Sequence, residues 1–104
     1  MAGDAIAIGP GKITLLEAID RTGSITCAAR GLDMSYRRAW LLLDELNRSL
    51  REPAVDSATG GRRGGGTALT DTGRRLVAIY RRIEAVATSK CRGDIKQLVG
   101  MLAH

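Results

Sequence analysis

The sequence predicts a mainly α-helical fold with one small β-hairpin and a long helix near its C-terminal end. Three observations carry that prediction. Two serine-capped amphipathic segments follow one another across a short turn. A glycine- and arginine-rich stretch is flanked by short extended runs. A long apolar stripe then begins after Thr70.

The first helix is expected over roughly residues 11–21. Pro10 suits a first helical turn, and Thr14-x-x-Glu17 is a candidate capping box slightly later. Leu15, Leu16, Ala18 and Ile19 supply the apolar stripe, which stops at Gly23. Ser24 is an N-cap for a short second helix. Its Ile25, Ala28, Ala29 and Leu32 fall at helical spacing, and the alanines permit close approach of a neighbour. Gly31 and Asp33 punctuate, since both tolerate turn conformations. Ser35 caps a third helix running to about Arg51, where Pro53 stops it. There Ala39, Leu43, Leu46 and Leu50 form the buried stripe, with Tyr36, Trp40 and Leu42 at its margins.

Two capped helices joined by a turn of about four residues describe a helix-turn-helix unit. After Pro53 the helical period is lost. Val55 and Thr67–Leu69 read as the two strands of a hairpin, and Thr70 caps a helix reaching about residue 89. Arg74, Arg81 and Arg82 are expected on or beside the outer face of that helix, opposite its apolar stripe. Ile95, Leu98, Val99 and Leu102 then suggest a short terminal helix after Gly93. This order is that of a winged helix-turn-helix domain. Its expected extent is residues 1–90, with residues 91–104 as a helical tail.

Charge placement narrows the function. Residues 1–56 balance at −1, residues 57–82 at +5 and residues 83–104 at +1. The net charge therefore sits in the glycine loop and the segment after it, which favours polyanions over a merely solubilising surface. The loop SATGGRRGGGTALT lacks GxxxxGK[ST] and any lysine, so a nucleotide phosphate cradle is excluded. A disordered linker fits poorly, because Val55 and Leu69 flank it at hairpin spacing. An RNA-binding RGG-like segment remains as an alternative.

Cys27 and Cys91 have no CxxC partner, and His104 is the sole histidine. No cofactor or metal is expected, and two separate thiols fit a reducing cytoplasm. The apolar runs are too short for membrane spans, and Asp4 is unlike an export signal. With no paired carboxylates and no nucleophile–base pair, an enzyme is not expected.

The segments GPGKITLLEAIDRTGSI, MSYRRAWLLLDELN and ATGGRRGGGTALTDTGRRL resemble the DNA-binding domain of the molybdate-responsive ModE transcriptional regulators. The resemblance runs from about Gly9 to Glu84, and SYRRAW and TGGRRGGG are its specific parts. It implies a LysR-type winged helix that dimerises through its N-terminal and long C-terminal helices and binds palindromic operator DNA. Full-length members carry a C-terminal molybdate-binding module, which this sequence is expected to lack, and with it any small-molecule effector site. Asp33 stands where members often carry glycine, and Arg63 replaces a glycine of the wing.

The expected contacts to double-stranded DNA follow from these positions. Ser35, Tyr36, Arg37 and Arg38 open the recognition helix, whose first residues meet base edges in the major groove. Arg37 and Arg38 lie about 100° apart, so one points at bases while the other takes a phosphate. The Tyr36 hydroxyl can reach a phosphate, or its ring can rest on the core margin. Leu41 could meet a thymine methyl, although a single exposed leucine is ordinary. Trp40 is expected to pack at the core edge.

Ser24 and Thr26 begin the second helix, where free backbone N–H groups favour a phosphate. Thr59, Gly60, Gly61, Arg62, Arg63 and Gly64 form the wing tip, with arginines suited to a narrow minor groove. Leu76, Ile79, Tyr80, Ile83 and Val86 are expected to include a homodimer interface. The alternative is that the tail folds back over them. Cys27 is expected to be a buried small hydrophobe. A competing reading of the whole chain is a protein-interaction module that pairs with a full-length regulator.

Overall fold

The computed structural model describes residues 9–57 and 66–103. Among them the chain forms α1 (Pro10–Thr22), α2 (Ile25–Gly31), α3 (Tyr36–Ser49), β1 (Val55–Ser57), β2 (Thr67–Leu69), α4 (Asp71–Lys90) and α5 (Arg92–Gly100). The predicted order is the observed one.

Helix α1 opens on Pro10 behind Gly9 and has no side-chain cap. The Thr14-x-x-Glu17 pair is therefore not a capping box; both side chains bind Arg81 of α4 instead. Gly23 closes the helix in the left-handed region (φ 72°), its N–H donating to the Ile19 carbonyl at 2.7 Å. Ser24 caps α2 by accepting from the Cys27 N–H at 3.1 Å, and Ser35 caps α3 by accepting from the Arg38 N–H at 3.1 Å.

The turn between these helices depends on one backbone angle. Asp33 has φ 59°, while Gly31 remains inside α2. Of the two residues expected to punctuate, aspartate makes the left-handed step, and the Met34 N–H then returns to the Ala29 carbonyl at 2.9 Å.

The core is aliphatic. Ile13, Leu15, Leu16, Ala18 and Ile19 of α1 meet Ala28 and Ala29 of α2 and Ala39, Leu43 and Leu46 of α3. Ala54, Val55 and Leu69 close it from the hairpin side. Each fully buried leucine or isoleucine contributes about 1.5–3 kcal/mol by leaving water. The strands pair antiparallel in the register Val55↔Leu69, Asp56↔Ala68 and Ser57↔Thr67. The hairpin is tied to α1 by the Thr67 N–H, which donates to the Gly23 carbonyl at 2.9 Å.

Helix α4 starts against the same corner. Thr70 accepts from the Gly73 N–H at 3.0 Å and donates its hydroxyl to the Pro53 carbonyl at 2.6 Å. Its own N–H reaches the Ala54 carbonyl at 2.9 Å, while the Ala54 N–H donates to Asn47 Oδ1 of α3 at 2.9 Å. Gly73 is buried here, so close to the Ala54 backbone that a Cβ would overlap its carbonyl oxygen.

Three expectations are corrected. Trp40 does not pack at the core edge: it is 48% exposed, because α3 is covered on its Leu42 side and left bare on its Tyr36–Trp40 side. Cys27 is exposed, since it points away from the Ala28–Ala29 face that meets α1. Arg81, expected on the outer face of α4, is instead bonded to α1.

The tail does not fold back. Helical hydrogen bonds run through Cys91, from its N–H to the Ala87 carbonyl at 2.8 Å and from the Ile95 N–H to its own carbonyl at 2.9 Å. No residue of α5 is buried. The radius of gyration, 15.8 Å, exceeds the roughly 13 Å of a compact domain this size because α4 and α5 extend beyond the core.

Candidate nucleic-acid interface

The helix-turn-helix leaves one face of α3 open while the opposite face fills the core. Ala39, Leu43 and Leu46 point inward. On the other side Tyr36, Arg37 and Arg38 are exposed in the first turn. Ser35 is also exposed, but its hydroxyl oxygen is engaged by the Arg38 N–H, so its cap fixes where the two arginines start.

No ion pair among the described residues engages Arg37 or Arg38. Four other cations among them are paired: Arg48 with Asp44 at 3.1 Å, Arg74 with Asp71, Lys12 with Glu45 at 2.7 Å, and Arg81 with Glu17 and Glu84. Arg30, beside the start of α3, shares the unpaired state of Arg37 and Arg38 among the described residues. The Lys12 hydrogen bond holds the Glu45 carboxyl below its ordinary range. The two exposed guanidiniums thus keep their donors for an external acceptor.

Two adjoining grooves meet at Tyr36. One lies between α2 and the start of α3 and is lined by Thr26, Arg30, Asp33, Ser35 and Tyr36, among others. The second runs along α3 and is lined by Tyr36, Arg37, Trp40 and Leu41. The fold therefore brings Thr26 to Ser35 and Tyr36, and Arg37 to the same surface. Ser24 is half-buried with its oxygen committed to the α2 cap, and Arg38 lines neither groove. Thr59, Gly60, Gly61, Arg62, Arg63 and Gly64 lie outside the described residues.

The apolar stripe of α4 divides in two. Leu76 and Tyr80 pack partly against this chain's own core, together with Val77. Ile79, Ile83 and Val86 stay open, at 52, 61 and 54% exposed. They line a shallow apolar groove rimmed by Arg82 and Lys90.

Sequence reasoning missed two features. Trp40 joins Arg37 and Leu41 on the open face, and no pattern within α3 distinguishes its covered margin from its bare one. The second is a clamp between α1 and α4. Arg81 donates to Glu17 at 3.0 and 2.6 Å, to Thr14 Oγ1 at 3.4 Å and to Glu84 at 2.6 Å. The Arg81 hydrogen bonds hold the Glu17 carboxyl below its ordinary range against the opposing effect of burial, and the carboxylates raise the guanidinium.

Among the described residues no helix is long and apolar enough to cross a membrane, and no three His, Cys, Asp or Glu side chains converge as a metal site.

Residues 11–74 match the family of bacterial regulatory helix-turn-helix proteins, lysR family. The chain is similar to the molybdenum transport protein ModE of Azotobacter vinelandii, 51% identical over 78 residues, covering 75% of this chain and 29% of that protein. It is 46% identical over 78 residues to the molybdenum-pterin-binding protein MopB of Rhodobacter capsulatus, with the same two coverages. To the DNA-binding transcriptional dual regulator ModE of Escherichia coli K12 it is 41% identical over 71 residues, 68% of this chain and 27% of that protein. The chain thus spans less than a third of the length of these relatives.

Proposed function

Because this chain belongs to the bacterial regulatory helix-turn-helix proteins of the lysR family, we propose that it is a ModE-like, sequence-specific transcriptional regulator. It binds palindromic operator DNA as a homodimer in the cytoplasm, and its target genes concern molybdenum. The observation that carries this reading is the open start of α3. Two exposed arginines stand there without acidic partners, on a helix whose other face is fixed in the core.

In this reading α3 enters the major groove. Arg37 contacts a guanine edge and Arg38 a phosphate, with Ser35 and Tyr36 beside them. Ser24 and Thr26 at the start of α2 approach the backbone of the same duplex. The wing residues Thr59, Gly60, Gly61, Arg62, Arg63 and Gly64 reach the adjacent minor groove. Residues 1–90 form the DNA-binding unit. Dimerisation uses Ile79, Ile83 and Val86, with Leu76 and Tyr80 supporting them from the core side.

Selection of bound duplexes from a random library, followed by footprinting at fixed salt, tests the proposal. The expected result is a palindromic motif that Arg37→Ala binds more weakly by about 1–3 kcal/mol. Replacing Arg62 and Arg63 together by alanine is expected to weaken binding to every duplex and to lower the salt slope by about 2. No enriched motif, together with capture of a longer regulator by the chain, favours the protein-interaction reading instead.

A further inference from the structure

The open face of α3 is not simply basic. Tyr36, Trp40 and Leu41 are 53, 48 and 49% exposed and, with Arg37, line one groove. A half-exposed tryptophan beside a half-exposed leucine is unfavourable in water and marks a contact surface more than scattered apolar residues do. The helical spacing puts Trp40 three residues and Leu41 four residues after Arg37, so the three form one patch.

The charge around the patch selects its occupant. Arg37 lies within it, Arg38 is exposed in the same turn, and the adjoining groove that shares Tyr36 contributes Arg30 against a single carboxylate, Asp33. A second copy docked here about a two-fold axis would bring Arg37 towards Arg37. A nucleic acid duplex instead meets the cations with phosphates and guanine acceptors. The apolar group it displays in the major groove is the C5-methyl of thymine.

We propose that Trp40 and Leu41 read thymine methyl groups in the major groove, which makes them specificity-determining residues beside Arg37. This rests on the DNA-binding reading above. Arg37 and Leu41 are about 6 Å apart along the helix axis, on the order of two base steps. The half-site therefore holds a thymine within about two base pairs of the guanine that Arg37 contacts.

The test uses the duplex enriched from the random library, with each half-site thymine replaced in turn by deoxyuridine. Wild-type protein is expected to lose about fourfold in affinity for each contacted methyl, the equivalent of about 0.8 kcal/mol. Trp40→Ala and Leu41→Ala are expected to lose this preference, binding the thymine and deoxyuridine duplexes more nearly alike than wild type does. Leu41→Ala, at an equally exposed position, carries the test should Trp40→Ala lose thermal stability. Trp40 is the only tryptophan, so its emission gives a second readout. Acrylamide should quench it less in the specific complex than in the free protein.

Equal wild-type affinity for thymine and deoxyuridine at every half-site position overturns the proposal. So does an unchanged preference in both variants, or undiminished quenching in the complex. Emission that shifts with protein concentration in the absence of DNA marks a second copy as the occupant and overturns it too. Failure of wild type to bind any duplex takes the DNA-binding reading down with it; binding without methyl discrimination removes only this inference.

Discussion

Arg81 and Glu17, 64 positions apart, are joined by two hydrogen bonds of 3.0 and 2.6 Å that fix the direction in which α4 leaves the core. Beyond this clamp α4 makes little contact with the body, so the pair controls how the exposed Ile83 and Val86 are presented.

The clamp has a pH signature. The Arg81 hydrogen bonds lower the folded-state pKa of Glu17. Its stabilising contribution is therefore complete above the ordinary glutamate value of about 4.3 and disappears as pH falls through the lower folded value. Glu17→Gln is expected to lower the urea midpoint at pH 7, with the gap to wild type closing in acid below about pH 4. Because both side chains are partly exposed, added salt should narrow the gap at neutral pH. A gap that stays constant from pH 7 to pH 3 contradicts an ionic clamp.

Gly73 is where α4 crosses the Ala54 backbone, and a Cβ there meets carbonyl atoms rather than a movable side chain. Gly73→Ala is expected to destabilise the domain by about 1–3 kcal/mol despite alanine's better helix propensity. Gly93 of α5 has nothing within 4 Å of a Cβ. There the same substitution is expected to stabilise its helix by up to about 1 kcal/mol. Opposite signs in α4 and α5, read by thermal unfolding and by helicity respectively, check the close crossing. Equal effects contradict it.

Asp33 turns the chain from α2 into α3 at φ 59°. Asp33→Gly should leave stability within about 0.5 kcal/mol of wild type, because glycine adopts this backbone freely. Asp33→Val is expected to cost about 1–2 kcal/mol, since a branched side chain resists the left-handed region. Matching chemical-denaturation midpoints for the two variants would show that the turn does not hold this angle in solution.

The divided stripe of α4 separates folding from association. Ile83, at 61% exposed, contributes little to this chain's own core. Ile83→Asp is expected to leave the monomer's fold intact while shifting sedimentation towards the monomer. Leu76→Asp, against the core, is expected to lower stability first. Unaltered sedimentation of Ile83→Asp, or unfolding as severe as that of Leu76→Asp, contradicts the assignment of Ile83 to a partner.

Local chemistry determined much of this protein. Ser24, Ser35 and Thr70 cap helices because a side-chain oxygen satisfies an amide three residues on, and that needs no knowledge of the rest of the chain. The same holds for the stop before Pro53 and for the pairing of Val55 with Leu69 across the basic loop. Arg37 and Arg38 were legible as the exposed start of α3 because the buried stripe and the cap leave them no other direction.

Tertiary structure decided what happens at the margins. A helical period gives a residue's angle but not which side a neighbour covers, so Leu42 and Trp40, on opposite margins, came apart only when the core cluster took the Leu42 side. Cys27 was exposed by the same rule. The Glu17–Arg81 clamp and the division of the α4 stripe depend on where two helices cross, at a separation no local pattern spans. Burial at a margin belongs to the neighbour as much as to the residue.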